Sequence, residues 1–280
     1  MKTHIIDGRK IKEDLLKEIK EKVSILPFTP VFCDILVGDD SVSASYVRIK
    51  AKNAESVGIK FRTAVFPDSV TTDELIIEIE NLNKVPHMCG VIVQLPLPDH
   101  MDRKKILDSI DPSIDVDCLG SLTSDKFYNN NSEISYPTAM ACMKILDSLN
   151  LKLADKKIVV LGQGTLVGQP VAHILRSRGL LIETIDRQTE NTSELIKEAD
   201  ILISGIGRGK FITGEMVKEG VVIIDAGTSE ENGSVVGDVD FESVKNIASY
   251  ITPSPGGVGP VTVAMLLENV LKVAENKKIR

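Results

Sequence analysis

The chain has few cysteines and histidines, and none of them are clustered. Its 4 cysteines, Cys33, Cys89, Cys118 and Cys142, form no CxxC pair, and no histidine follows one at zinc-finger spacing. That disfavours a structural zinc centre. Cysteines this sparse read as reduced, cytoplasmic thiols. The 4 histidines, His4, His87, His100 and His173, are equally scattered, so no metal site is expected. Long apolar runs are also missing: none reaches the roughly 18–20 residues that span a bilayer. The opening Met1–Asp7 carries no apolar stretch of signal-peptide length, so neither secretion nor a membrane partner is expected. Positive charge is in deficit, with 33 Lys+Arg against 40 Asp+Glu and a net charge of −7. A concentrated basic face for nucleic acid is therefore not expected. A small anion held by a few local groups remains compatible with this balance.

What is present is ordinary for a soluble globular chain, with 42% hydrophobic and 26% charged residues. The length of 280 residues fits one large domain or two of usual size. Helical periodicity alternates with short β-branched runs, which predicts an α/β architecture with a parallel sheet. Helices are predicted over 9–24, 42–57, 72–83, 139–149, 167–178, 193–198 and about 262–277. Strands are predicted over 32–37, 60–66, 90–94, 157–161, 181–185, 201–204 and 221–225. Residues 111–135 lack periodicity and read as a long loop. A domain boundary is placed near Thr138.

Strand 157–161 runs into Gly162-Gln163-Gly164-Thr165-Leu166-Val167-Gly168 and then a helix. The first glycine permits a tight turn, the second lets a pyrophosphate approach the backbone, and the third lets helix and strand pack closely. Dinucleotide binding is therefore expected. Asp186 closes the next strand, where a carboxylate accepts from ribose hydroxyls and repels a 2′-phosphate. Arg187 follows it and offers the opposite preference, so NAD and NADP both stay open, with a lean to NAD.

Tyr46 and Lys50 are one helical turn apart, on one face. Taken alone, such a pair reads as plain surface rather than as a catalytic group, since both residue types are common there. Gln94 stands at the carboxyl end of an apolar strand, before Leu95-Pro96-Leu97-Pro98, at the edge where open parallel sheets bind ligands. Asp115-Val116-Asp117 offers carboxylates in the long loop. Thr252-Pro253-Ser254-Pro255-Gly256-Gly257-Val258-Gly259-Pro260 is a rigid turn before the last helix.

In this order these segments closely resemble the bifunctional methylenetetrahydrofolate dehydrogenase/methenyltetrahydrofolate cyclohydrolase family. The strongest matches are Val37-Gly38-Asp39-Asp40 with Ser43, Tyr46-Val47 and Lys50; Val93 through Pro98; Asp115-Val116-Asp117; Val167-Gly168-Gln169-Pro170; and Thr252 through Pro260, continuing to Leu267. The resemblance implies a folate/catalytic domain at 1–138, with the last helix able to pack back on it. It implies a Rossmann-type domain at 139–261, a cleft between the two, and a homodimer. It implies oxidation of methylene-tetrahydrofolate with NAD(P), then hydrolysis of the methenyl cation to 10-formyl-tetrahydrofolate. By the same resemblance Lys50 is the principal group of the hydrolytic step, Gln94 holds and tunes it, Tyr46 stacks on the folate, and Asp117 hydrogen-bonds the pterin. Ser43, Leu95, Pro96, Pro255, Gly256 and Gly257 join the expected folate set. Gly162, Gln163, Gly164, Thr165, Val167, Gly168, Asp186, Arg187, Gly205, Thr228 and Ile251 form the expected cofactor set.

The chain departs from the family pattern at four places. Gln163-Gly164 stands where the family usually has Arg-Ser, and Asp186-Arg187 where it often has His-Ser. These two weaken an NADP assignment that the family alone would favour. Cys118 replaces the glycine after Asp-Val-Asp, and Pro137 replaces a cysteine near the cofactor. A cyclohydrolase with weak dehydrogenase activity, a different two-domain dehydrogenase, and a noncatalytic folate- or nucleotide-binding module are the competing readings.

Overall fold

The structure is a computed structural model of the chain, and it describes residues 2–231 and 233–278. The elements run β1 (His4–Ile5), α1 (Gly8–Ser24), β2 (Val31–Val37), α2 (Ser41–Ser56), β3 (Lys60–Phe66), α3 (Thr72–Asn83), β4 (Met88–Val93), α4 (Arg103–Asp108), α5 (Ser121–Tyr128) and α6 (Pro137–Ser148). They continue as β5 (Ile158–Leu161), α7 (Gly168–Ser177), β6 (Ile182–Ile185), α8 (Thr192–Glu198), β7 (Ile201–Ser204), β8 (Val222–Asp225), β9 (Ser229–Glu231), β10 (Ser234–Val236), α9 (Phe241–Val244), β11 (Tyr250–Ile251) and α10 (Val258–Lys278). The chain divides into two compact units, 14–137 with 263–278, and 2–13 with 138–262.

The first unit is built on a parallel sheet in the order β3-β2-β4. Every residue of β2 and β4 is buried, as expected of strands covered on both faces. The flanking helices start where the sequence supplies caps. Asp40 accepts from the Ser43 N–H at 2.6 Å to start α2, and Thr71 with Glu74 forms a capping box at α3. Part of α10 belongs to this unit: Asn269 donates to the Val116 carbonyl at 2.9 Å and the Ser135 carbonyl at 2.7 Å.

The second unit carries a six-stranded parallel sheet, ordered β1-β11-β8-β7-β5-β6. The chain enters at β5, places β6 on one side, then crosses back to β7 and β8 on the other. That reversal puts the end of β5 at the sheet's switch point, where such sheets bind ligands. The core under it includes Val159, Leu161, Ile196, Leu202, Ile223 and Ile251.

Several expectations need correction. The loop predicted over 111–135 contains helix α5. Its sequence gives little period because Leu122 points to solvent, and the helix is held by burial of Thr123 and Phe127 and by edge contacts of Phe127 with Tyr128 and Tyr136. The last helix starts at Val258, not 262, because Pro260 falls in its first turn, where no N–H is needed. The pairs β1–β11 and β9–β10 are only two or three residues long and leave no readable alternation. Residues 2–13 lie in the second unit through β1, whereas the sequence boundary groups them with the first.

Candidate active site

Helix α2 buries Ser43, Val47, Lys50, Asn53 and Ala54 along one stripe, so Lys50 points into the first unit. Lys50 is 7% exposed, and its ammonium donates to Gln94 Oε1 at 2.8 Å. Gln94 follows β4 directly. Its backbone N–H donates to the Ile35 carbonyl at 2.8 Å, which extends the ladder one residue and aims the side chain at Lys50. Its Nε2 donates to the Leu95 carbonyl at 3.1 Å, and the Leu95–Pro96 bond that follows is cis. The predicted pairing of Lys50 with Gln94 is therefore a contact.

A third member was not foreseen. Asp34, fully buried in the middle of β2, brings Oδ2 to 2.6 Å from Lys50 Nζ. The contact is one of charge, because among the described residues neither Asp34 oxygen receives a hydrogen bond of good geometry. Burial pushes the Asp34 carboxyl above its ordinary range, and the Lys50 charge opposes that. One signal in the sequence pointed here: a lone carboxylate inside the apolar run Val31–Val37 needs a buried partner.

Asp117 shares this electrostatic environment. Burial pushes its carboxyl up to about 6, with Asp115 and Asp34 adding in the same direction and Lys50 opposing. Asp115 is buried and shapes the loop, accepting from Gly120 N–H at 2.8 Å and Leu119 N–H at 3.4 Å. Cys118 follows Asp117 in the left-handed region at φ 62°, the conformation in which a glycine is least strained. Its thiol faces the Thr123 carbonyl at 3.6 Å. Tyr46 lies one turn before Lys50 and is 38% exposed, so its ring is available to a ligand. Pro96 is exposed and Leu95 half-buried, while Ser43 is buried in the first turn of α2.

In the second unit, the turn after β5 is fixed by packing. Gly162 has φ +94°, and a Cβ there would lie 2.9 Å from the Gly205 carbonyl oxygen. A Cβ on Gly168 would fall 1.8 Å from the Gly162 oxygen, and one on Gly205 would fall 2.7 Å from Val167 Cγ1. Gly164 differs: nothing lies within 4 Å of its would-be Cβ. Gln163 folds back to donate to the Gly162 carbonyl at 2.8 Å. Thr165, Asp186, Arg187 and Thr228 are exposed. Asp186 Oδ1 accepts from the Gln188 N–H at 2.9 Å and Thr189 Oγ1 at 2.8 Å, which holds its carboxyl below the usual range. Ile251 departs from its expected cofactor role: it is fully buried in the apolar core, and its carbonyl accepts from Ile6 N–H. Pro255, Gly256 and Gly257 also belong to this unit, where the Gly256 carbonyl accepts from Gly8 N–H at 3.0 Å. The expected folate set is thus divided between the two units.

Two family models match, "Tetrahydrofolate dehydrogenase/cyclohydrolase, catalytic domain" over residues 6–117 and "Tetrahydrofolate dehydrogenase/cyclohydrolase, NAD(P)-binding domain" over residues 136–278. This chain belongs to the tetrahydrofolate dehydrogenase/cyclohydrolase family. It is 40% identical over 279 residues to the "Bifunctional protein FolD" of Lactobacillus acidophilus, covering 99% of each chain. It is 37% identical to the crystal structure of the FolD methylenetetrahydrofolate dehydrogenase/cyclohydrolase of Campylobacter jejuni, with a TM-score of 0.93 over 98% of this chain and 99% of that one. The FolD enzyme of Trypanosoma brucei, solved with NADP and an inhibitor, is 33% identical with a TM-score of 0.93 over 99% of both chains.

The family's NAD(P)-binding domain contains the Gly162–Gly168 turn, and the residues there fit a dinucleotide. Gly162 and Gly168 pack against backbone, and Gly164 between them leaves open space ahead of α7, whose first-turn N–H groups favour an anion. Among the described residues, no helix is long and apolar enough to cross a membrane.

Proposed function

We propose that this protein oxidises 5,10-methylene-tetrahydrofolate with NAD(P) and hydrolyses the methenyl product to 10-formyl-tetrahydrofolate. The observation that carries this reading is the buried Lys50–Gln94 contact at 2.8 Å, at the carboxyl end of β4, in a chain of this family. A lysine held there offers donors that orient a water beside a cationic methenyl carbon and move protons during ring opening. Gln94 fixes the lysine rotamer. Tyr46 offers its exposed ring to the folate, and Asp117 supplies a carboxylate for the donor-rich pterin edge. A bound nicotinamide supplies the hydride acceptor. The residues that would hold it are Gly162 through Gly168, with Gly205 and Thr228 beside them.

The reading for cofactor choice leans to NAD. One oxygen of Asp186 is already oriented by Gln188 and Thr189, so the other is set to accept from a ribose hydroxyl and would repel a 2′-phosphate. Family membership alone would favour NADP, the cofactor named for the Trypanosoma brucei relative, and Arg187 is the residue that could answer a 2′-phosphate. The family supports reading the protein as a homodimer, and its four free, buried cysteines support a cytoplasmic one.

The test is hydride transfer from methylene-tetrahydrofolate with NAD and NADP in parallel, followed by direct hydrolysis of methenyl-tetrahydrofolate. Lys50→Ala is expected to lower hydrolysis by at least about 100-fold with the thermal transition retained. Hydrolysis without hydride transfer would leave a cyclohydrolase alone. No turnover of either substrate would overturn the reading in favour of a binding module.

A further inference from the structure

Lys50 has two partners, and the second has no structural need. Strand β2 is otherwise an unbroken apolar run, and the residues paired in register with Asp34 carry no charge: Thr63 of β3 and Ile92 of β4. A β-branched residue would serve the strand better than a buried carboxylate without a well-formed hydrogen bond. What Asp34 does have is the Lys50 ammonium, 2.6 Å away.

We propose that Asp34 is a positioning residue for hydrolysis, which holds the Lys50 amino group beside Gln94 and takes up its proton so that Lys50 can accept one from the attacking water. This rests on the reading of Lys50 as the hydrolytic group. The proton balance closes. Transfer from Nζ to Oδ2 breaks one N–H bond and makes one O–H bond, and the pair stays neutral overall. As the water oxygen bonds to the methenyl carbon, one of its protons passes to the amine, so the substrate's positive charge ends on Lys50. The carbinol then opens: its C–N bond breaks, the ring nitrogen takes a proton from the Lys50 ammonium, and the carbinol O–H proton leaves to solvent as the formyl C=O forms. Asp34 returns its proton to the amine, and one proton has been released in total.

The surroundings suit this exchange. From α2 the group facing Asp34 is Lys50, which also binds the neutral Gln94 at the end of β4; from the loop before α5 the charge of Asp117 acts on the same group. Arg62 of β3 is in register with Cys33, on the opposite face of β2. Burial favours the protonated carboxyl of Asp34, which eases the first transfer.

Asp34→Asn keeps the shape but cannot take a proton. In the full-length protein it is expected to lower kcat for methenyl-tetrahydrofolate hydrolysis by about 100-fold, to leave KM within about threefold, and to change the pH profile of kcat. Asp34→Val is expected to show the same kcat loss and, because it leaves the buried Lys50 charge without its counter-ion, to melt below the wild type. Wild-type kcat and pH profile in Asp34→Asn would overturn the proposal. Carboxyl-carbon NMR of the wild type decides the matter even if neither variant folds. A titrating Asp34 signal displaced by Lys50→Gln supports the pair, and a signal indifferent to Lys50 overturns it. Failure of the wild type to hydrolyse the substrate would instead overturn the proposed function itself.

Discussion

Gly164 and Gly168 share one turn but answer to different constraints. Gly168 is excluded from carrying a side chain by the protein itself, since its Cβ would meet the Gly162 oxygen at 1.8 Å. Gly164 faces open space, so only a ligand could object to a methyl group there. Gly168→Ala is therefore expected to destabilise the fold by about 3 kcal/mol. Gly164→Ala should leave the melting temperature within about 2 °C, while weakening dinucleotide binding about tenfold, or roughly 1.4 kcal/mol. Thermal melts and titration with NAD and NADP separate the two effects. Equal binding by Gly164→Ala and wild type would show that no phosphate approaches this backbone. Residues of this kind were legible because spacing carried them: Gly162, Gly164 and Gly168 sit between a strand and a helix, and Tyr46 with Lys50 sit on one helical face. Asp34 was not legible in the same way. No period marks a single buried carboxylate, and its partner lies on another element, so only the fold reveals what it faces. Ile251 shows the converse, since nothing local distinguished a ligand contact from a core residue in β11.

Helix α10 illustrates how an element distant in sequence can govern a loop. Asn269 is 2% exposed and donates to the carbonyls of Val116 and Ser135, one beside Asp117 and the other just before α6. Both carbonyls are otherwise denied water, so losing the amide strands two acceptors at once. Asn269→Leu, which keeps the volume, is expected to cost about 2–4 kcal/mol in urea unfolding. It should also raise KM for folate by releasing the segment that carries Asp117. A loss below about 1 kcal/mol would mean that the two carbonyls find other donors. The periodic helices were readable from sequence nearly to the residue: α3 was predicted over Thr72–Asn83 and begins at its capping box. Helix α5 was not, because its stability comes from Phe127 packing among Tyr128 and Tyr136 and not from an apolar stripe of its own. The short strands β1 and β11 share that dependence, each being two residues paired in parallel with a neighbour far along the chain.

Each unit buries carboxylates, and together they set how the stability of the whole chain responds to pH. In the second unit Asp225 accepts from the N–H groups of Gly227 at 3.0 Å, Asp238 at 3.1 Å and Val239 at 3.0 Å. Asp238 accepts from Ser204 Oγ at 2.7 Å and from the N–H groups of Ile206 and Arg208 at 2.8 Å. Burial, with the neighbouring Asp238 charge, pushes Asp225 up to about 7. In the first unit burial pushes Asp117 up to about 6, and Asp34 and Asp115 move the same way. A carboxyl raised on folding binds its proton more tightly in the native state than in the unfolded chain. Its contribution is complete below the unfolded value near 4 and is lost as pH rises through the folded value. Asp40, Glu74, Asp186 and Glu198 have the opposite sign, being held low by their partners, but they are solvent-exposed and contribute little. Losses therefore begin as pH rises above about 4 and are complete by about pH 8, just past the highest folded value. The protein is expected to be more stable at pH 5 than at pH 8, by on the order of 2 kcal/mol. Thermal melts at constant ionic strength across that range provide the check. A melting temperature that rises toward pH 8 would show that the three donors around Asp225 outweigh its burial, leaving its carboxylate ionised in the native state.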